Sequence, residues 1–549
     1  MQGELFVRDN LTGHPVAEDG LMPVLERTLL RLSCVLAVAL VAGCGSTAQM
    51  TTSRLSDGLS GQAGETSSLP GAGPAPALRA AGSAVTAAPG APGTDPSQGR
   101  GTAAAARGPA GSNAVGAAPS APLAAAASTG LGVTATTISI GIGYSTNGDT
   151  ANSAIGASGI SSGDTLANAK ALVEEVNAAG GVAGRKVVAV YFAYDATSTQ
   201  PGATQDQAAC SAFTQDHQVI AVLSSNLSDV LPACLKKAGV VFLKSGVIVA
   251  EDATYLRQYS NEFLLGTMAQ DRLLTDQVTS FVRQEYFGGW NTVTGQAGPA
   301  PTKLAVLTYD PASFTRAVNG SLLPALAAAG HPVAASEVYP VHKPATQSDV
   351  SGLVTQIKTA TLQMQQDGVT HLVFNDASGL LLGLFSSNAS SQQYFPRFGV
   401  TSGAGVQAIY AAGLVKANQL NGMSGNGWMP SLDLPAADTV PYQTSATKRC
   451  LEIMKRRTGQ TYTSTNAASL ALGQCDQVFA FTQAMAKAPS LSPAGLIAGL
   501  ESLGSSFVSA ILPAAFLSAA QHDDGVRAFD LNWVAGCTCV RYTSPRNVP

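Results

Sequence analysis

Short apolar runs alternate with amphipathic stretches from about residue 133 onward, and this alternation restricts the fold more than any other feature of the sequence. Four runs of strand length come first: TISIGIG (137–143), KVVAVYF (186–192), VIAVL (219–223) and VVFL (240–243). The stretch that follows Asp164 places Leu166, Ala169 and Leu172 at helical spacing. Strands that alternate with helices in this way predict a parallel sheet covered by helices.

The same pattern then begins again. Further strands are predicted at KLAVLTY (303–309), near 333–339 and at THLVFN (370–375), with helices at 271–286, 314–329 and 349–366. The predicted fold class is therefore α/β, with two doubly wound parallel-sheet lobes in series. Ligands of open parallel sheets bind outside the carboxyl ends of the strands, so two facing sheets predict an interlobe cleft.

A short apolar segment near the N-terminus ends in a cysteine. Arg27 and Arg31 flank its start, the apolar run covers 32–42, and Val41-Ala42-Gly43 leads to Cys44. This order is typical of a secretory signal, and the run is shorter than the roughly 20 residues that cross a bilayer. Its end resembles the lipobox of bacterial lipoproteins, which implies lipidation of Cys44. An ordinary signal peptide with a chance cysteine is the alternative.

We expect residues 22–43 to be the signal peptide, with Met22 as the start. Residues 1–21 carry acidic side chains ahead of the basic region, and we interpret them as an extension caused by a start assigned too early. Residues 44–130 are interpreted as a lipidated cysteine and a disordered Ala/Gly/Pro/Ser linker, because no aromatic residue interrupts them. A flexible coil of about 86 residues has a mean reach of roughly 50 Å.

The passage EEVNAAGGVAGRKVV (174–188) resembles the first helix-to-strand joint of type I periplasmic binding proteins, in the branched-chain amino-acid-binding branch. VIAVLSSNLSD (219–229) and NGMSGNGWMP (421–430) are also similar to that family. The resemblance covers about 134–542 and implies two lobes, three crossovers and ligand capture by hinge closure. The expected segments are 131–265 (first lobe), 266–428 (second lobe), 429–515 (first lobe again) and 516–549 (the last crossover and the C-terminal strands).

Ligand contact requires neutral donors at strand ends and aromatic walls. The candidates in the first lobe are Tyr144, Asn147, Ser224, Ser225, Ser245 and Gly246, and those in the second lobe are Tyr309, Phe314, Asn375, Thr401 and Ser402. An ordinary turn or core role is the alternative for each. The mostly apolar KSGVIVAED (244–252) and the sequence LLGTMAQD (264–271) depart from the family's amino-acid binders. We therefore expect a different small ligand, polar or amphipathic.

Six cysteines remain after Cys34 and Cys44 are set aside, and an even set in an exported protein suggests disulfides. The sequence-local pairs are Cys210–Cys234, Cys450–Cys475 and Cys537–Cys539. The last pair is the least favoured, because its small ring is strained and both side chains of a flat strand would share one face. Other connectivities, and a redox or metal role for the Cys-x-Cys pair, remain open.

Composition excludes several classes of function. A net charge of −4 and six scattered histidines do not indicate a nucleic-acid binder or a zinc site. The sequence has no complete phosphate loop, no G-x-S-x-G elbow and no H-E-x-x-H, so we expect no cofactor, no metal and no enzyme. The resemblance implies a monomeric, extracytoplasmic, lipid-anchored solute-binding protein that serves an ABC permease. A ligand-sensing surface lipoprotein of the same fold is the alternative.

Overall fold

The computed structural model describes residues 130–245 and 251–549. The interpretations of the segment before Gly130, including lipidation of Cys44, and the predicted ligand residue Gly246 lie outside the described residues. Within those residues, no helix combines the length and the apolar character needed to cross a membrane.

The first lobe contains a sheet of five parallel strands in the order β2-β1-β3-β4-β5. Its strands are β1 (Thr137–Thr146), β2 (Lys186–Asp195), β3 (Ala221–Ser224), β4 (Val241–Ser245) and β5 (Glu262–Leu265). Its first helices are α1 (Gly148–Ala154), α2 (Thr165–Ala178), α3 (Gly202–Ser211, extended by a π turn to Asp216), α4 (Val230–Ala238) and α5 (Ala253–Gln258). As predicted, α2 begins after Asp164, whose carboxylate accepts a hydrogen bond from the backbone N–H of Ala167 at 2.9 Å.

The second lobe contains a sheet of seven strands in the order β14-β13-β12-β11-β10-β8-β9. Its strands are β8 (Leu304–Tyr309), β9 (Val338–Val341), β10 (His371–Asn375), β11 (Arg397–Thr401), β12 (Ser424–Gly427), β13 (Arg527–Val534) and β14 (Cys539–Asn547). A separate small hairpin consists of β6 (Trp290–Asn291) and β7 (Gln296–Ala297). The helices are α6 (Gln270–Arg283), α7 (Ala312–Ala317), α8 (Leu323–Ala328), α9 (Val350–Gln366), α10 (Leu380–Ser391) and α11 (Val406–Ala411).

The two predicted lobes are present, but the second sheet is not wholly parallel. Strands β13 and β14 are antiparallel to each other, and β13 is antiparallel to β12. A short turn joins β13 to β14, and a turn of this length connects only antiparallel strands. Strand β9 also lies later than the predicted 333–339, because residues before Ala335 form an irregular loop.

Between β12 and β13, which belong to the same second sheet, the chain returns to the first lobe and forms four helices. These are α12 (Pro430–Asp433), α13 (Ser445–Thr458), α14 (Thr465–Lys487) and α15 (Pro493–Glu501). The chain therefore crosses between lobes after β5, after β12 and before β13. At the first crossover Gly266 has φ +77°, and a Cβ there would lie 2.5 Å from Ile511, so a side chain would be both strained and obstructed.

The structure joins the cysteines in the three sequence-local pairs. The Cα–Cα distances are 6.2 Å for Cys210–Cys234, 5.9 Å for Cys450–Cys475 and 5.2 Å for Cys537–Cys539. The geometric objection to the last pair does not apply, because Cys537 lies in the β13–β14 turn rather than on a flat strand. Thr538, between the two cysteines, has φ +48°, which reverses the chain and brings the side chains together.

Removal of the Cys450–Cys475 bond should cost more stability than removal of the Cys537–Cys539 bond. The first bond spans 25 residues and the second spans 2. From loop-closure entropy we expect losses of about 3.5 and about 1.5 kcal/mol in the free energy of unfolding. Urea unfolding of the paired Cys→Ala variants measures both values. Equal losses would contradict the entropic account.

Candidate functional site

The segments that follow the strands of one sheet contact the segments that follow the strands of the other. Arg316 of α7 donates two hydrogen bonds, at 2.8 and 3.1 Å, to the carboxylate of Asp252, which lies beyond β4. The N–H of Gly202, beyond β2, donates to the carbonyl of Ala345, beyond β9, at 3.2 Å. Ile160, beyond β1, packs against the core of the second lobe. The carboxyl ends of both sheets therefore meet at one interlobe interface.

Two buried aromatic rings and a half-buried lysine lie on the second-lobe side of this interface. The rings of Tyr309 and Phe314 meet edge to face with centroids 5.3 Å apart. Lys343, two residues after β9, is half-buried, and its Nζ stands 5.8 Å from the centre of the Phe314 ring. Burial and the neighbouring Lys244 lower the pKa of Lys343, while Glu251 and Asp229 act in the opposite direction.

Lys343 has no ion-pair partner among the described residues. The corresponding lysine of the first lobe, Lys244, does have one, since its ammonium contacts the carboxylate of Glu251. Both members of that pair are almost fully buried. Within residues 130–245 and 251–549, no carboxylate therefore lies within ion-pair distance of the Lys343 ammonium group.

The candidates of the first lobe fall into two groups. Tyr144 is half-buried, and Asn147 and Ser225 are exposed at the ends of β1 and β3. Asn147 donates a hydrogen bond to Asp195 at 2.9 Å, which fixes its amide beside the end of β2. By contrast, Ser224 is buried and donates to the carbonyl of Ser225 at 2.7 Å. Ser245 is buried close to α14, where a Cβ at Gly473 would lie 2.6 Å from its Oγ.

In the second lobe, three candidates already use their polar atoms inside the protein. Asn375 donates to Thr308 Oγ1 at 3.0 Å and accepts from Gln270 Nε2 at 2.9 Å. Thr401 Oγ1 accepts from the N–H of Gly403 at 3.1 Å. The hydroxyl of Ser402 contacts Asp433 and accepts from the N–H of Trp428 at 2.8 Å. These bonds favour internal roles for all three side chains.

Sequence reasoning missed Lys343. It placed the strand near 333–339, so His342 and Lys343 seemed to lie well inside a loop. The structure ends β9 at Val341, which places Lys343 at a carboxyl strand end of the kind where ligand residues were expected. A lysine close behind a VYPV run was the available signal.

Comparison with known proteins gives the family. The model of the family described as "Periplasmic binding protein" matches residues 137–529. The chain belongs to the periplasmic binding protein family. The family, of type I, and the α/β fold class are thus confirmed, and the members are binding proteins rather than enzymes. A search of curated proteins found no significant match to the sequence.

Solved structures of periplasmic binding proteins show the same fold. A possible leucine/isoleucine/valine-binding protein from Rhodopirellula baltica SH 1 is 13% identical, with a TM-score of 0.52, and the match covers 76% of this chain and 98% of that one. A solute-binding protein from R. palustris in complex with 4-hydroxybenzoate is 13% identical, with a TM-score of 0.52 and coverages of 75% and 98%. A branched-chain amino acid transporter substrate-binding protein from Streptococcus pneumoniae, in complex with isoleucine, is 15% identical, with a TM-score of 0.50 and coverages of 75% and 99%.

The second crossover of this binding protein contains a buried acid. Asp433, the last residue of α12, is fully enclosed and contacts the hydroxyls of Ser402 and Tyr542. Burial raises the pKa of Asp433 to about 7, although both hydroxyls favour the ionised form. The neutral carboxyl is therefore the form that the folded protein prefers in mildly acidic solution.

The stability of the protein should fall as the pH rises from 5 to 7.5. A free aspartate ionises near pH 3.9, so over this range the unfolded chain has released a proton that folded Asp433 still holds. The stabilisation is complete below about pH 4 and is lost as the pH rises through about 7. Asp433→Asn should reduce the fall by on the order of 1 kcal/mol or more, measured by urea unfolding at both pH values.

The exposed Glu452→Gln on α13 is the matched control and should leave the dependence unchanged. An Asp433→Asn variant with the parent's pH dependence would show that Asp433 ionises normally.

Proposed function

We propose that this protein is an extracytoplasmic, lipid-anchored solute-binding protein that captures a small amphipathic ligand with an anionic group between its lobes and delivers it to an ABC importer. The observation that carries the ligand class is Lys343 beside Phe314 at the interlobe surface. The position of this pair, at the carboxyl ends of β8 and β9, agrees with the location expected for ligands of parallel sheets.

A partly buried cation without a carboxylate partner is costly, because burial removes water from the ammonium group. A ligand carboxylate would restore the lost interaction through a charge-assisted hydrogen bond. The rings of Phe314 and Tyr309, which are buried beside Lys343, would give an apolar ligand body a hydrophobic environment. Cation and aromatic rings together favour a small carboxylic acid over an uncharged sugar or a peptide.

The acids of the first lobe do not provide the missing partner. Glu251 contacts Lys244. Asp206 accepts hydrogen bonds from the N–H groups of Leu227 and Ser228 and from the Ser228 hydroxyl. Asp229 attracts Lys343 through space, but no ion pair joins the two side chains. These arrangements leave the charge of Lys343 available to a ligand.

Matched acids and amides test the ligand class. We expect benzoate, phenylacetate or isovalerate to raise the melting temperature of residues 131–549, and the corresponding amides to have little effect, because only the acids carry the charge that Lys343 requires. The shift should be lost in Lys343→Met and largely kept in Lys343→Arg. The matched control Lys358→Met, on the exposed face of α9, should behave as the parent.

An amide that stabilises the protein as well as its acid would contradict the anionic ligand class but not ligand capture. Failure of every acid and every amide would count against the cleft as the site for small ligands of this size.

The membrane anchor rests on Cys44 and the residues before it. Acylation of Cys44 would hold the protein at the membrane, and the predicted linker would let the lobes reach a permease. Cells fed a labelled fatty acid should incorporate it into the parent protein and not into Cys44→Ser. Cys34→Ser, within the apolar run, is the control and should still be labelled. Labelling that survives in Cys44→Ser would exclude this anchor.

A further inference from the structure

A second cavity lies away from the interlobe surface. It has a volume of about 240 Å³ and is lined only by residues between 430 and 511, which belong to the part of the chain between the second and third crossovers. None of the strand-end residues of the candidate site lines it. One wall is formed by α13 and α14, and the other by α12 and the segment 436–443.

The residues that line the cavity indicate what kind of small molecule could bind there. Leu451, Leu472 and Ile511 give the cavity apolar walls, and Lys455 is the one charged side chain among its lining residues and is itself exposed. The hydroxyl of Ser431 is buried and has no hydrogen-bond partner within the described part of the chain. A buried hydroxyl that is left unpaired costs free energy, and a guest with one polar group would remove that cost.

The size agrees with a single aromatic ring. An apolar cavity of about 150 Å³ is known to bind benzene, and pockets for larger ligands begin at about 300 Å³. The cavity lies between these values. It is therefore large enough for a ring with one substituent.

The outer wall of the cavity is held by the second lobe. Asp438 contacts Arg541 of β14. The ring of Tyr442 packs edge to face on Phe529 and Tyr542, with centroids 5.3 and 5.4 Å away. The inner wall belongs to the first lobe, since α13 and α14 pack on α2. The cavity is thus lined by the segment between the second and third crossovers, and one of its walls rests on the second lobe.

We propose that this cavity is a second binding site, specific for a small uncharged molecule with an apolar ring and one hydrogen-bonding group. Its occupancy is linked to the lobes' relative position, because the wall 436–443 is positioned by the second lobe and α13–α14 by the first. This inference does not depend on the ligand class assigned to the interlobe cleft.

Phenol and toluene are suitable probes, since toluene has a methyl group in place of the phenol hydroxyl that would meet Ser431. Titration calorimetry of residues 131–549 should show saturable phenol binding. Ser431→Ala should weaken phenol binding about 3- to 10-fold, the value of one ordinary hydrogen bond, and should leave toluene binding unchanged. Phenol binding of equal strength in the parent and in Ser431→Ala would overturn the role of this hydroxyl.

Filling the cavity tests its location. Ala468→Phe on α14 should abolish binding of both probes, and Ala436→Phe, at an exposed position on the opposite wall, repeats the test with less risk to folding. Ala486→Phe is exposed on the same helix α14 outside the cavity and should bind as the parent does. Absence of saturable phenol binding to the parent, or retained binding in both filled variants, would overturn the site.

The link to the second lobe has its own test. Phe529 supports Tyr442 from β13 but does not line the cavity. Phe529→Leu should therefore weaken phenol binding several-fold while the circular dichroism spectrum stays that of the parent. Unchanged phenol affinity in a folded Phe529→Leu would overturn the link.

Discussion

Two consecutive buried aspartates bind the first and third crossovers to each other, and the placement of the lobes depends on them. Asp524 accepts hydrogen bonds from the N–H groups of Gly266 at 2.8 Å and Thr267 at 3.1 Å. Asp523 accepts from the N–H of Ala269 at 2.9 Å and contacts Arg272. Burial raises the pKa of Asp524 well above its usual value. Two chain segments more than 250 residues apart in sequence thus form one hinge element.

This element explains why the carboxyl ends of the two sheets face each other. The N–H of Leu264, in the last strand of the first sheet, donates a hydrogen bond to the carbonyl of His522 at 2.8 Å. The N–H of Asp524 donates one to the carbonyl of Leu264 at 3.1 Å. The entry to α6 and the entry to β13 are therefore held side by side. Rotation about this element would change the distance between Arg316 and Asp252, and with it the space in front of Lys343. The proposed ligand capture by closure requires a hinge that is separate from the binding surface, and this arrangement provides one.

The sequence was sufficient for the architecture because apolar strands and amphipathic helices are local patterns. TISIGIG and KLAVLTY became β1 and β8 with small changes at their ends. The site was harder to predict, because a polar residue at a strand end has two possible partners, a ligand or a distant part of the chain. Asn375 forms a hydrogen bond with Gln270, and Ser402 forms one with Asp433. The local sequence reveals neither pairing, because the partners are distant along the chain. Lys343 was missed because the predicted end of β9 was a few residues too early. Lys343 therefore did not fall among the strand-end residues that were considered as ligand contacts.

The second crossover connects the two proposed binding regions through a single short helix. Helix α12 has four residues: its second, Ser431, lines the separate cavity, and its last, Asp433, holds Ser402 at the end of β11. Tyr542 of β14 contacts the same carboxylate and also packs against Tyr442, which lines the cavity. A movement of α12 would therefore displace both Ser402, at the end of β11, and the cavity wall that contains Ser431. Because packed interiors rearrange between discrete states rather than deform continuously, the cavity and the cleft would then respond to the same hinge motion.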